Sequence, residues 1–144
     1  MIKSDKSKHN TCIASIKRST IPPYNFKWTK FYESNLEFQN TNHEINFDFA
    51  EGELIICSTI INVDNHSILT TQRLITKENG TKNSGSLVGA IDKFYGDFKG
   101  HKEDSLTFGL VLLYNGVDLK YFIETGNASM VMIHGVRTLI RRNE

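Results

Sequence analysis

Asn79-Gly80 sits at the end of a stretch rich in β-branched residues, and it constrains the fold more than any other dipeptide in the chain. Both central positions of a type I′ turn need positive φ, which Asn and Gly tolerate best, so the pair predicts a two-residue hairpin. A second Asn-Gly, at Asn115-Gly116, lies between the strand-like runs 106–114 and 117–124. A chain punctuated in this way is expected to form antiparallel sheet. Upstream, residues 54–63 are rich in β-branched side chains, Asp64-Asn65-His66 has turn chemistry, and residues 67–77 resume the strand pattern, which predicts another hairpin. Ile45, Phe47 and Phe49 fall at period two and predict an earlier strand, closed by Ala50-Glu51-Gly52. Leu87, Val88, Ile91, Phe94 and Phe98 suit a strand or a pair of strands broken at Gly89 and Gly96, with Asn83-Ser84-Gly85-Ser86 before them as a flexible connection.

The period changes at the end of the chain. Wound at 100° per residue, residues 126–142 gather Ala128, Val131, Met132, Gly135, Val136, Leu139 and Ile140 on one side, with His134, Arg137, Thr138 and Arg141 opposite. That predicts an amphipathic helix, with Thr125 or Asn127 at its start and Arg141 and Arg142 at the negative end of its dipole. Gly135 in the middle of the apolar face implies close approach of a neighbouring element, which offsets about 1 kcal/mol of lost helix propensity. At the other end, residues 1–23 are rich in Lys, Ser and Thr, with Ile13, Ile16 and Ile21 spaced among them, and read as a partly ordered arm. In residues 25–39 the spacing of Trp28, Phe31, Tyr32 and Leu36 favours helix, while Phe26 with Trp28 and Leu36 with Phe38 also fit a strand. The 144 residues suffice for one core.

Near-neutrality hides a segregation of charge. The net +1 combines seven basic groups and one acidic in residues 1–30 with seven acidic and none basic in residues 31–64. Opposed patches of this kind suit head-to-tail assembly as well as internal pairing. The balance argues against a nucleic-acid binder. The longest apolar runs are far short of a membrane span, and no apolar segment follows the first lysines, so a soluble, cytoplasmic protein is expected. Cys12 and Cys57 do not form a disulfide framework, and Cys57, in an apolar run, reads as a buried structural thiol.

The motifs of catalysis are missing. The five histidines make no His-x-x-x-His pair, and there is no Gly-x-Gly-x-x-Gly, Walker or Gly-x-Ser-x-Gly string. Asp97, His101, Glu103 and Asp104 alternate with Lys99 and Lys102 and read as a solvated turn rather than a cation site. We therefore expect no catalytic residue, metal or cofactor. The charged and aromatic positions that stand out are Arg73, inside the apolar run 68–76; the column His134, Arg137 and Arg141, at i, i+3 and i+7 on the outer helix face; and Tyr95, beside Phe94 and Gly96. These five are the candidate partner-binding residues. For Arg73 pairing with an acid is favoured over exposure.

One string narrows the fold. Ser67-Ile-Leu-Thr-Thr-Gln-Arg-Leu-Ile-Thr-Lys-Glu-Asn-Gly80 resembles the "L-T-x-x-R-L-I" strand of the bacterial pleckstrin-homology-like (PH-like) domains. Residues 54–63 before it, then 92–98, 106–114 and 117–125 leading into the terminal helix, follow that family's order, so the resemblance covers roughly residues 51–142. It implies an α+β, mostly β chain: an antiparallel β-barrel or roll capped by a C-terminal amphipathic helix. Residues 1–43 would then be an N-terminal arm with an aromatic segment, and 44–144 the PH-like domain. It also implies a non-catalytic binding role, protein–protein or self-assembly. The first hairpin loop, residues 62–66, carries no Lys or Arg, which makes it a poor phosphate cradle and lipid binding there doubtful. Two alternatives are an immunity-type accessory protein that neutralises a partner, and a small-ligand carrier or enzyme using the barrel interior.

Overall fold

The structure is a computed structural model, and it describes residues 4–99 and 105–144. Helix α1 (Asp5–Ser19) starts where Ser4 Oγ accepts the Ser7 N–H and ends with Lys17 and Arg18 in the last turn, where the dipole favours cations. A short strand β1 (Thr29–Phe31) and a two-turn helix α2 (Asn35–Thr41) follow. Strands β2 (Ile55–Asn62), β3 (Asn65–Thr70), β4 (Leu74–Glu78) and β5 (Thr81–Gly85) then run as an antiparallel meander, with β1 added outside β2. A second antiparallel sheet holds β6 (Ile91–Phe94), β7 (Leu106–Leu112) and β8 (Asp118–Glu124). One 3₁₀ turn (Gly126–Ala128) leads into α3 (Ser129–Arg142). The chain is thus α+β and mostly sheet, with a C-terminal helix.

The larger sheet is covered on both faces, which is why its central strands are apolar at consecutive positions. On one face Cys57, Leu69 and Leu74 join Cys12, Ile13 and Ile16 of α1, the inner side of α3, and Val111, Leu119, Tyr121 and Ile123 of the smaller sheet in the main core. On the other face Ile55 and Ile68 meet Tyr32 and Phe38, with Ile45, Phe47 and Phe49 packed over them. The rings of Phe38, Phe47 and Phe49 contact one another at 4.6–6.1 Å. Helix α3 turns inward every apolar residue its period selects, and Gly135 lies where an added Cβ would stand 2.9 Å from Cys57 Sγ.

Several expectations are corrected. The sheets do not close into a barrel: among the described residues neither β5 with β6 nor β1 with β8 forms a ladder. The outer edge of β8 instead docks through a side chain, the Phe122 N–H donating to Ser67 Oγ at 2.8 Å. Ser67 belongs to a row of buried hydroxyls that crosses the sheet at Thr29, Thr59, Ser67 and Thr76, pairing at 2.7–2.9 Å. Residues 5–19, read as an arm, are a helix with three side chains in the main core. The aromatic segment 25–39 is split between β1 and α2 rather than forming one helix, because Thr29 and Phe31 pair with Thr59 and Cys57 of β2. Ile45, Phe47 and Phe49 keep their alternation but belong to no strand; their rings, not a ladder, hold them. The run 67–77 is two strands, since Thr70 N–H bonds Arg73 O at 2.9 Å and reverses the chain. Asn83, Ser84 and Gly85 lie in β5 instead of a flexible connection. Asn79 (φ 51°) and Gly80 (φ 82°) adopt the positive-φ turn that the sequence demands.

Candidate functional site

The side chains that the helical period leaves outside form the site. α1 and α3 lie side by side, joined by the Thr138 hydroxyl to Ser15 Oγ at 2.9 Å and by Arg142 Nη2 to Ser7 Oγ at 2.7 Å. Their apolar sides are buried, and Arg18 of α1 comes together with Arg137 and Arg141 of α3 about His134; of the other cations on the two helices, Lys6, Lys8, Lys17 and Arg142, Lys17 is paired with Glu33 at 2.9 Å. Only one acid, Asp5, lies within either helix, and its carboxylate is engaged by the hydroxyl of Thr71. His134 stands in the middle. Partial burial, then the charges of Arg137, Arg141 and Arg18, hold its imidazole below the usual histidine pKa. Arg18 and Arg141 are exposed and take part in no ion pair among the described residues.

Arg137 is fixed rather than free. Its Nη2 and Nε donate to Tyr95 Oη at 2.9 and 3.3 Å, and the Tyr95 hydroxyl donates in turn to Asp92 Oδ2 at 2.8 Å. Its Nε also lies 3.8 Å from Asp92 Oδ2. Burial pushes the Tyr95 phenol up in pKa, Arg137 pulls against this, and Asp92 adds to it. The hydrogen bond to Tyr95, ahead of burial, sets the direction for Arg137, upward. The chain thereby ties the middle of α3 to the end of β6, so that the guanidinium presents a preset edge to solvent.

Of the five candidate residues, four come together: His134, Arg137 and Arg141 on α3, and Tyr95 against Arg137. Arg73 is elsewhere. It lies in the turn between β3 and β4, where Nε donates to Glu53 Oε2 at 2.9 Å and Nη2 to Glu53 Oε1 at 3.1 Å. Glu53 has no exposed side-chain surface, and it also accepts from the Thr70 hydroxyl and the Ala50 N–H. Burial alone would raise the Glu53 pKa, but these hydrogen bonds, that of Arg73 first, hold it below the usual carboxylate value. The acid partner expected for Arg73 is therefore Glu53, and the pair braces the turn.

Arg18 was missed from the sequence, together with Asp92. The signal for Arg18 was present: Cys12, Ile13 and Ile16 have helical spacing, and Ser4-Asp5 opens and Lys17-Arg18 closes a helix with the polarity its dipole favours.

Both thiols are shielded. Burial raises the pKa of Cys12 to about 12 and that of Cys57 well above the usual thiol value. Among the described residues no three His, Cys, Asp or Glu side chains converge as a metal site; of the polar cluster around Asp97, His101, Glu103 and Asp104 lie outside the described residues. A cleft of about 350 Å³ opens between Pro22, Phe26 and Ala128, above Glu124. The Glu124 carboxylate accepts the N–H groups of Lys27 and Trp28 at 3.0 and 2.8 Å, which fixes the entry into β1. Among the described residues no helix is long and apolar enough to cross a membrane. No family model, no curated protein and no solved structure matches this chain.

Proposed function

We propose that the chain is a non-catalytic protein-interaction module of the bacterial PH-like type, acting in the cytoplasm, and that its contact surface is the cationic outer face of α1 and α3. One observation carries the reading: Arg18 and Arg141, from helices far apart in sequence, lie about His134 and are in no ion pair among the described residues, while Arg137 beside them is held in place by Tyr95. A preorganised cluster of like charges is stabilised by an acidic partner, and complementarity of that kind governs encounter and orientation. β2, β7 and β8 followed by α3 support the PH-like reading, because the resemblance implies strands at those places ahead of the terminal helix. Two shielded thiols suit a reducing compartment.

A titration of ¹⁵N-labelled protein with a short polyglutamate peptide at low salt tests this. The amides of residues 17–18 and 134–141 should shift together, and the shifts should vanish in an Arg18→Glu/Arg141→Glu variant that keeps its fold. Shifts confined to the cleft around Pro22 and Ala128, or none at all, would reject this surface.

A further inference from the structure

The opposite layer carries the opposite charge. From residue 31 to residue 72 the chain contains no Lys or Arg. This stretch builds α2 and the extended segment 43–52, which cover the face of the larger sheet away from α1 and α3. Glu37, Glu44, Asp48 and Glu51 are exposed there, and none is in an ion pair among the described residues. Leu36 stands among them on α2 with 64% of its surface exposed. Lys17 and Glu33 close one internal pair at the rim, at 2.9 Å, but the sheet and two hydrophobic cores separate Glu37, Glu44, Asp48 and Glu51 from Arg18 and Arg141, which therefore stay unpaired with one another inside one molecule.

From this arrangement we infer that the protein associates head to tail with further copies of itself. The basic face of α1 and α3 of one copy seats on the acidic face of α2 and residues 43–52 of the next. The inference rests on the interaction-module reading above and names its partner. The two patches are different surfaces on opposite sides of the chain, so the contact is heterologous, and each copy keeps one face open for another. Assembly therefore runs past the dimer. Exposed charge pairs of this kind are screened by salt, which makes the association ionic-strength dependent.

Sedimentation velocity and light scattering on the full chain test the inference. In about 10 mM salt, where the screening length is ~30 Å, the weight-average mass should climb with concentration above the 16.4 kDa monomer. In about 1 M salt, where that length is ~3 Å, it should return to the monomer. An Arg18→Glu/Arg141→Glu variant, with the two unpaired arginines of the basic face reversed, and a Glu44→Lys/Glu51→Lys variant, with two carboxylates of the acidic face reversed, should each be monomeric at low salt. An equimolar mixture of the two should regain the mass of the wild-type assembly. Circular dichroism of each variant confirms that the fold is kept, since all four positions are exposed. A mixture that stays monomeric, or an assembly that survives high salt, overturns the inference. A wild type that stays monomeric yet shifts with polyglutamate overturns it while leaving the interaction module standing; failure of both overturns both. Monomeric protein that binds duplex DNA or anionic vesicles through these arginines assigns the face to another polyanion and likewise overturns self-association.

Discussion

Replacing Gly135 by alanine sets two effects of known sign against each other. In an exposed helix interior the change gains about 1 kcal/mol. In α3 the new Cβ would stand 2.9 Å from Cys57 Sγ, 3.0 Å from Leu69 Cδ2 and 3.5 Å from Ile16 Cδ1. Apolar heavy atoms prefer about 3.5–4.0 Å, so two of the three contacts are compressed. All three neighbours are fully buried. Cys57 is the stiffest, a one-atom side chain on a strand inside the sheet, and its S–H points at Val131 O of the same helix. Overpacking of this sort costs about 1–3 kcal/mol, which exceeds the propensity gain. We expect Gly135→Ala to lose about 1 kcal/mol net, or ~3 °C in Tm for a chain of this length. Urea unfolding followed by circular dichroism gives the equilibrium value. The decisive measurement is the cycle with Cys57→Ala, which removes the closest atom. In that background Gly135→Ala should become neutral or stabilising, a coupling of about 1 kcal/mol. A Gly135→Ala variant that is stabilised by the full helix-propensity gain, or one that costs the same in both backgrounds, would refute the argument that the glycine is there for proximity.

Other perturbations probe the polar interior. Glu53→Gln keeps the shape but removes the charge that accepts from Arg73, and should cost about 2 kcal/mol in urea unfolding; a change within error would mean that water replaces the pair. Ser67→Ala leaves the buried Phe122 N–H without its acceptor and should cost about 2 kcal/mol, with faster hydrogen exchange at Phe122 as its local signature. Unchanged protection there would show that the sheets are joined by apolar contacts alone. Stability should also rise with pH in two stages. Glu53 is held below the ordinary carboxyl value, so its contribution is complete above about pH 4.3 and is lost as pH falls through its folded value. His134 and His66 are held below the ordinary imidazole value, so the unfolded chain takes up protons first below about pH 6.5 and stability declines from there. His134→Gln should flatten part of the upper stage, and a wild-type profile that is level between pH 5 and 7 would contradict this.

Local chemistry made much of the architecture legible. The turn at Asn79-Gly80, the hairpin loop before His66 and the period of α3 follow from residue types a few positions apart. α2 carried a signal as well: Ser34 and Glu37 form the S-x-x-E pattern, with Ser34 Oγ accepting the Glu37 N–H. The aromatics around it obscured that signal, because they mix two periods. α1 was harder to see, since much of its surface is polar and only Cys12, Ile13 and Ile16 mark its inner side among the hydrophobic residues. Segment 43–52 shows the opposite failure: alternation without a ladder, because the neighbouring backbone it would need belongs to no adjacent strand. In the candidate site, the column of His134, Arg137 and Arg141 could be read from spacing on one helix. Arg18 could not be placed next to it, nor Tyr95 next to Arg137, because those contacts close loops that sequence spacing does not measure.

By itself, then, the sequence determined the antiparallel meanders, the amphipathic terminal helix and the division of charge between the first thirty residues and the next stretch. These are set by torsional preference, side-chain period and composition, all of which act over a few residues. Tertiary structure alone decided that the sheets stay open, that a serine hydroxyl and not a backbone carbonyl receives the edge of β8, and that Arg73 braces a turn against Glu53. It also decided where the charges go. Helix α1, basic, and α2 with residues 43–52, acidic, come to lie on opposite sides of one sheet, because each turns its apolar side to a different face of that sheet.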